Sequence, residues 1–314
     1  MTPQDHSTNE LLDRARGLLL GQFIGDSLGS LVEFCDPEDI AARYPQGVRD
    51  LADGGTWNLL AGQPTDDSQM AMELILSLLE HGHYDADAVR AGYRRWAASD
   101  PFDIGFTVSH ALGGEPNEYS QSNGALMRIS PVAIIHAAAS RPLAAAQKDA
   151  RADATITHLN PIAIDANAAY VTGLLTALRG GAIADILAAM QDAATTPEVR
   201  EAITSAPQTY AKHAGWVLLS LSLATHALRE SATVGAEQAL IDVVSFGGDT
   251  DTHAAIAGAL LGATYGLGTW PERWVGTVLA CTPDADRSAP GRALHSRYYA
   301  HHLLEQAEQL LALG

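Results

Sequence analysis

A chain of 314 residues that is 47% hydrophobic but only 6% aromatic is long enough to bury one sizeable core, and its wealth of alanine and leucine favours packed helices over sheets. The formal charge of −18 speaks against a surface built for nucleic acid or an anionic membrane. Two cysteines, Cys35 and Cys281, give no disulfide framework; the polar start lacks a signal-peptide core, and the longest apolar run, near residues 254–268, falls short of the ~20 residues of a membrane span, so a cytoplasmic protein is expected.

In chain order, residues 1–10 read as a polar tail and residues 11–314 as one helical domain, since no linker, low-complexity tract or repeat divides them. Residues 11–32 form one helix or two abutting ones, with Gly21, Gly25 and Gly29 at every fourth position; Gly258, Gly262 and Gly266 repeat the pattern downstream. A glycine inside a helix costs about 1 kcal/mol relative to alanine. A glycine face that lets two helices approach closely compensates for it, so these two helices are expected to pack against each other. Asp26 and Glu33 interrupt the first stretch. An acid among apolar neighbours is either a satisfied structural carboxylate or one whose pKa is raised for acid catalysis.

Residues 53–63 form a loop that delivers Gln63-Pro64-Thr65-Asp66-Asp67-Ser68 to a helix marked by Met70, Leu74, Ile75, Leu78 and Leu79. Helices are expected at 68–81 and 85–98, followed by a turn at Asp100-Pro101, and Asp103 has the place of a helix N-cap. A polar loop, 113–122, leads into Ser122-Asn123-Gly124-Ala125-Leu126-Met127-Arg128, a small glycine-bearing segment suited to cradle an anion. Arg128 can tie acidic loops together or touch phosphate. Further helices are expected at 141–154, 161–178, 183–193, 213–229 and from 289 onward, with an acidic loop at 284–286. Between them, His158 reads as a hydrogen-bonded structural residue or a ligand contact, and Trp216 as a core aromatic or a stacking surface for adenine.

The strongest signal is Gly247-Gly248-Asp249-Thr250-Asp251-Thr252, which opens an Ala-rich helix. Asp249 and Asp251, two apart, would point about 200° away from each other on a helix, so a site using both needs the loop freedom that the glycines supply. Helix capping explains this turn alone equally well. The turn at 63–68 changes the balance, because adjacent carboxylates repel unless a cation or an arginine lies between them. Two hydroxyl-and-carboxylate clusters, each opening a buried helix, can converge on one oxygen-rich cage. Hard oxygen donors without a cysteine or a histidine pair select Mg2+ or Mn2+ over zinc, and four carboxylates suit two ions.

The pair Thr65-Asp66-Asp67-Ser68 and Gly247-Gly248-Asp249-Thr250-Asp251-Thr252 resembles the ADP-ribosylglycohydrolase family, the group containing dinitrogenase reductase-activating glycohydrolase and the ADP-ribosylarginine and ADP-ribosylserine hydrolases, over residues 21–274. The resemblance implies an all-α, single compact orthogonal multi-helix bundle with a dinuclear metal site at helix N-termini. Two divalent ions, Mg2+ or Mn2+, would be held by Thr65, Asp66, Asp67, Asp249, Asp251 and Thr252. It implies catalytic roles for Glu33, in Val32-Glu33-Phe34, and for Asp103, and substrate contacts at Asn123, Gly124, Met127, Arg128, His158 and Trp216. Three positions depart from the family pattern: Ser68 stands for threonine, Ser122 for glycine, and the aspartate that follows the aromatic at 216 is missing. The implied reaction hydrolyses the bond between the distal ribose of ADP-ribose and an acceptor side chain, arginine first, with serine or another linkage as the alternative. An ADP-ribosylated protein or a small ADP-ribosyl conjugate is the implied partner. An immunity or binding protein countering an ADP-ribosylating toxin, and a non-catalytic family member, are the readings from other classes.

Overall fold

Helix dominates the computed structural model, which describes residues 3–208, 214–282 and 295–314; among them are fifteen α-helices and no strand. In order they are α1 (Pro3–Gly29), α2 (Pro37–Arg43), α3 (Asp66–His81), α4 (Ala86–Ala97), α5 (Phe106–Leu112), α6 (Pro131–Ile135), α7 (Leu143–Thr157), α8 (Pro161–Leu178), α9 (Ile183–Ala193), α10 (Pro197–Thr204), α11 (Val217–Val234), α12 (Ala236–Ser245), α13 (Thr250–Tyr265), α14 (Glu272–Ala280) and α15 (Leu303–Ala312). The expected bounds of α8 and α9 hold. α1 starts at Pro3, so helix extends into the segment expected as a tail, and it stops at Gly29. Not expected are α2, α10, whose buried face is only Val199, Ala202 and Ile203, α12 and α14. The starts expected at 213 and 289 and the acidic loop at 284–286 lie outside the described residues, but within them α11 begins only at Val217 and the last α-helix only at Leu303, later than expected.

α1 and α13 cross at the centre, main chain against main chain. A Cβ built on Gly25 would sit 2.0 Å from the Ala254 carbonyl oxygen, one on Gly21 2.3 Å from that of Gly258, and one on Gly262 1.9 Å from that of Gly17. Gly17 thus extends the seam. Gly266 closes it at that end: a Cβ on Gly17 would also lie 2.5 Å from the Gly266 carbonyl carbon, while Gly266 itself ends α13 with φ 84°, a conformation that favours glycine, and its own Cβ would meet Asp13 of α1. At the other end a Cβ on Gly29 would lie 2.3 Å from the Thr250 carbonyl, and Thr250 Oγ1 donates to Gly29 O at 2.7 Å. The seam therefore ends beneath the acidic turn. A carbonyl oxygen cannot rotate away as a side chain can, so Gly25→Leu or Gly262→Leu must part the helices. Each is expected to lose folded protein or about 3 kcal/mol or more, read by urea denaturation. A stable, active variant of both would overturn the close approach.

α1 also anchors α3. The fully buried Asp26 accepts from Thr65 N at 3.0 Å, Thr65 Oγ1 at 2.8 Å and Ser68 N at 3.1 Å, clamping the first turn of α3, while Gln22 Nε2 donates to Met127 O at 3.0 Å. Burial pushes Asp26 up to about 6, against the pull of those hydrogen bonds. By length and composition α8, rather than residues 254–268, is the helix apolar enough to cross a bilayer, with mean hydropathy 1.2; 78% of it is buried inside the fold, among α7, α9 and α13.

Candidate active site

The two acidic turns meet. Gly247 and Gly248, at φ 80° and 78°, make the bend that presents Asp249 as the N-cap residue of α13 and Asp251 in its first turn. The bend is tied to the segment after Glu33 by Phe34 N donating to Gly248 O at 2.7 Å and Gly248 N to Cys35 O at 3.0 Å. Glu33, Asp249 and Asp251 consequently bring one carboxylate oxygen each within 4.8 Å of one another. From α3, Asp67 joins the clusters: its Oδ2 accepts from Thr65 Oγ1 at 3.0 Å and from Thr252 Oγ1 at 3.3 Å. Asp66 faces a cleft of about 270 Å3 together with Glu33, Asp103, Asn123, Asp249 and Thr252.

Crowding and burial set the electrostatics. Burial first, and then neighbouring carboxylates, hold Asp66, Asp67 and Asp251 well above the ordinary carboxylate range. Burial likewise pushes Glu33 up to about 8, with Asp103 and Asp249 adding to it, and Asp103 up to about 6, with Asp249 adding. These acids cannot all ionise together without a counter-charge. Asp67 Oδ1 is buried and has no hydrogen-bond partner within the protein. A buried orphan oxygen amid hydroxyls and carboxylates fits hard divalent cations, so the residues present suit such ions.

The proton-transfer candidates are both here. Asp103 is not an N-cap: Gly105 holds that place before α5, and the Asp103 carboxyl instead shares a hydrogen bond with Asp66 in the cleft. Glu33 is fixed by Trp57, whose Nε1 donates to Oε2 at 2.5 Å. Trp57 escaped the sequence reading because it sits in an irregular loop with no pattern to mark it. Asn123 orients Asp249, donating to its Oδ2 at 2.6 Å, and its own N–H donates to Gly215 O at 3.0 Å. Gly124 and Met127 line the cleft beside it.

Three residues expected against the substrate do not line this cleft. Arg128 is fully buried under the 122–127 loop, its Nε on Asp153 Oδ1 at 2.9 Å, its Nη1 on Thr157 Oγ1 at 2.9 Å and its Nη2 on Asp153 O at 3.0 Å. A buried guanidinium demands such pairing, and it serves as a strut. His158 is also fully buried, linking Ser122 Oγ (2.7 Å) to Thr157 Oγ1 (2.9 Å); burial, and then Arg128, holds it down to about 3, so it is neutral. Trp216 donates its Nε1 to Gln121 Oε1 at 2.9 Å and lines a neighbouring cavity of about 390 Å3 with Glu198 and Glu201.

The chain is similar to known proteins over most of its length. The ADP-ribosylglycohydrolase family pattern matches this sequence over residues 7–309. The chain belongs to the ADP-ribosylglycohydrolase family. It is 32% identical to the ADP-ribosyl-[dinitrogen reductase] glycohydrolase of Rhodospirillum rubrum, covering 84% of this chain and 89% of that one. Identity is 30% to an ADP-ribosylarginine hydrolase of Pseudomonas putida (strain GB-1), over 86% of this chain and 75% of the relative. A solved structure titled ADP-ribosylglycohydrolase-related protein complex superposes with a TM-score of 0.78 at 28% identity, covering 97% of this chain and 99% of its own. As an ADP-ribosylglycohydrolase, the chain is a hydrolase of ADP-ribosyl bonds, and its acid cluster lies where the 65–68 and 249–252 turns meet.

Proposed function

We propose that this ADP-ribosylglycohydrolase releases ADP-ribose from modified arginine side chains of proteins, with two divalent ions, Mg2+ or Mn2+. The observation that carries the proposal is the cleft wall. Glu33, Asp66, Asp103 and Asp249 line it, and no lysine or arginine does among the described residues. Such a wall attracts a guanidinium and gives a neutral serine linkage no comparable advantage. The relative named for arginine hydrolysis supports the same choice.

Cleavage of a glycosidic bond passes through an oxocarbenium-like state, which needs one group to protonate the departing atom and another to prepare water. Thr65, Asp66, Asp67, Asp249, Asp251 and Thr252 would hold the ions, which supply positive charge for orienting ribose hydroxyls and acidifying water. Asp103, raised to about 6, exchanges a proton near neutral pH and can give it to the departing guanidine nitrogen. Glu33, with Oε2 fixed by Trp57, would accept a proton from the attacking water through Oε1 once bound cations have drawn it down from the value of about 8 that burial gives it. Asn123 holds Asp249 in place, and Gly124 lets the adjoining wall pack tightly, since a Cβ there would lie 2.9 Å from Val108 Cγ2 and 3.4 Å from His158.

Metal-stripped protein is expected to release ADP-ribose from a peptide modified on a single arginine only once Mg2+ or Mn2+ is restored. Release from a serine-modified peptide alone would overturn the substrate, and AMP in place of ADP-ribose would overturn the reaction.

A further inference from the structure

Two exposed phenylalanines stand at the same cleft. Phe34 is 64% exposed and Phe106 69%, in a chain with five phenylalanines, and both line the cavity that carries Glu33, Asp66, Asp103 and Asp249. Leaving two such rings in water at one site forgoes the burial that aromatic surface ordinarily finds. Neither is placed by chance of packing. Phe34 has φ 63°, an outlier for a bulky residue, and it is held there by its N–H donating to Gly248 O. Phe106 opens α5 with one face on His110, ring centroids 3.8 Å apart, and it follows Asp103 by three residues.

We propose that Phe34 and Phe106 form an aromatic platform on the acceptor side of the cleft, on which the planar guanidinium of ADP-ribosylated arginine stacks. The proposal rests on the arginine reading above and assigns residues to acceptor selection. Charge complementarity chooses the occupant: the wall is acidic and without a basic residue among those described, so a cation over an aromatic face is favoured twice, by the acids and by the ring quadrupole. Glu33 and Asp103 lie next to Phe34 and close to Phe106 in sequence and line the same cleft, so the platform borders the groups that move the protons.

The test uses the full-length protein with metal and an ADP-ribosylarginine peptide, measuring kcat and KM along with inhibition by free ADP-ribose. In Phe106→Ala and Phe34→Ala, KM is expected to rise about tenfold with little change in kcat, while the inhibition constant of ADP-ribose, which has no guanidinium, stays put. Phe106→Tyr should recover the wild-type KM; Phe106→Leu, apolar but without a π face, should not. A parallel weakening of ADP-ribose would place the rings against the adenosine half and overturn the proposal, as would full rescue by leucine or an unchanged KM. No release from the arginine peptide by the unaltered protein would remove the arginine reading and this proposal with it. Arginine release with KM indifferent to both rings would remove this proposal alone.

Discussion

Asparagine in place of Asp67 is expected to raise the melting temperature of the metal-stripped protein, to erase the further rise brought by Mg2+ or Mn2+, and to lower ADP-ribose release at least ~100-fold. Asp67 is fully buried, and desolvation followed by the charges of Asp26 and Asp249 disfavours its ionised form. Asparagine has the same shape without the charge. It keeps an acceptor for Thr65 Oγ1 and Thr252 Oγ1 and brings an amide to the position where Oδ1 has no partner. The metal-free fold therefore gains, while the donor set loses a carboxylate. Loss of a residue behind a metal ligand typically lowers affinity or activity 10–100-fold, so loss of a ligand should do at least as much. Helix capping makes the opposite forecast. Were Asp67 present only to complement the positive end of α3, its neutralisation would destabilise the protein by about 0.3–1 kcal/mol with and without cation. Thermal melts of both proteins in chelator and in each cation separate the two accounts.

Stability of the metal-free protein should fall as pH rises from about 6 to 8. Folding pushes Glu33 up to about 8, Asp103 up to about 6, and Asp66, Asp67 and Asp251 well above the carboxylate range, whereas in the unfolded chain such groups titrate near 4. Across that window the folded chain holds protons that the unfolded chain has already released. Their contribution is complete below about pH 4 and is lost as pH climbs through the folded values. Each group still titrating tilts stability by up to roughly 1.4 kcal/mol per pH unit. His158 acts in the other direction: held down to about 3, it withdraws stability as pH drops below about 6.5 and adds no slope above that. Thermal denaturation in chelator should thus decline toward alkaline pH, and saturating Mg2+ or Mn2+ should flatten or reverse the decline, because cations take the place of the protons. Identical slopes in chelator and in cation would contradict a cation-binding cluster.

Legibility of the molecule from its sequence tracks how far apart the interacting residues lie. The helical class, and the convergence of the 65–68 and 249–252 turns, could be read because each cluster is contiguous. The α1–α13 pairing was legible too, since main-chain contact marks a sequence by missing side chains at every fourth position. Side chains with remote partners left no such mark. Arg128 turns inward to Asp153 and Thr157, and His158 to Ser122, so two positions that family resemblance assigned to the substrate are buried beneath the 122–127 loop. Trp57 acquires its role only when folding brings Glu33 to it. Asp103 had the local look of a cap, yet the chain runs two residues further before the helix begins, which frees its carboxyl for the cleft.

From Gly17 to Gly29 the distance between α1 and α13 is set by backbone atoms, not by the size of any side chain. Glu33 leaves the end of one helix and Asp251 opens the other, so their separation is gauged by a ruler whose graduations are peptide units. Repacking of outer layers such as α9 and α10 leaves that ruler untouched. The rim, where Phe34, Phe106 and the 113–122 loop lie, is correspondingly at liberty to drift. New acceptor preferences can then be written there one loop at a time, around a reaction centre whose dimensions are inherited unchanged.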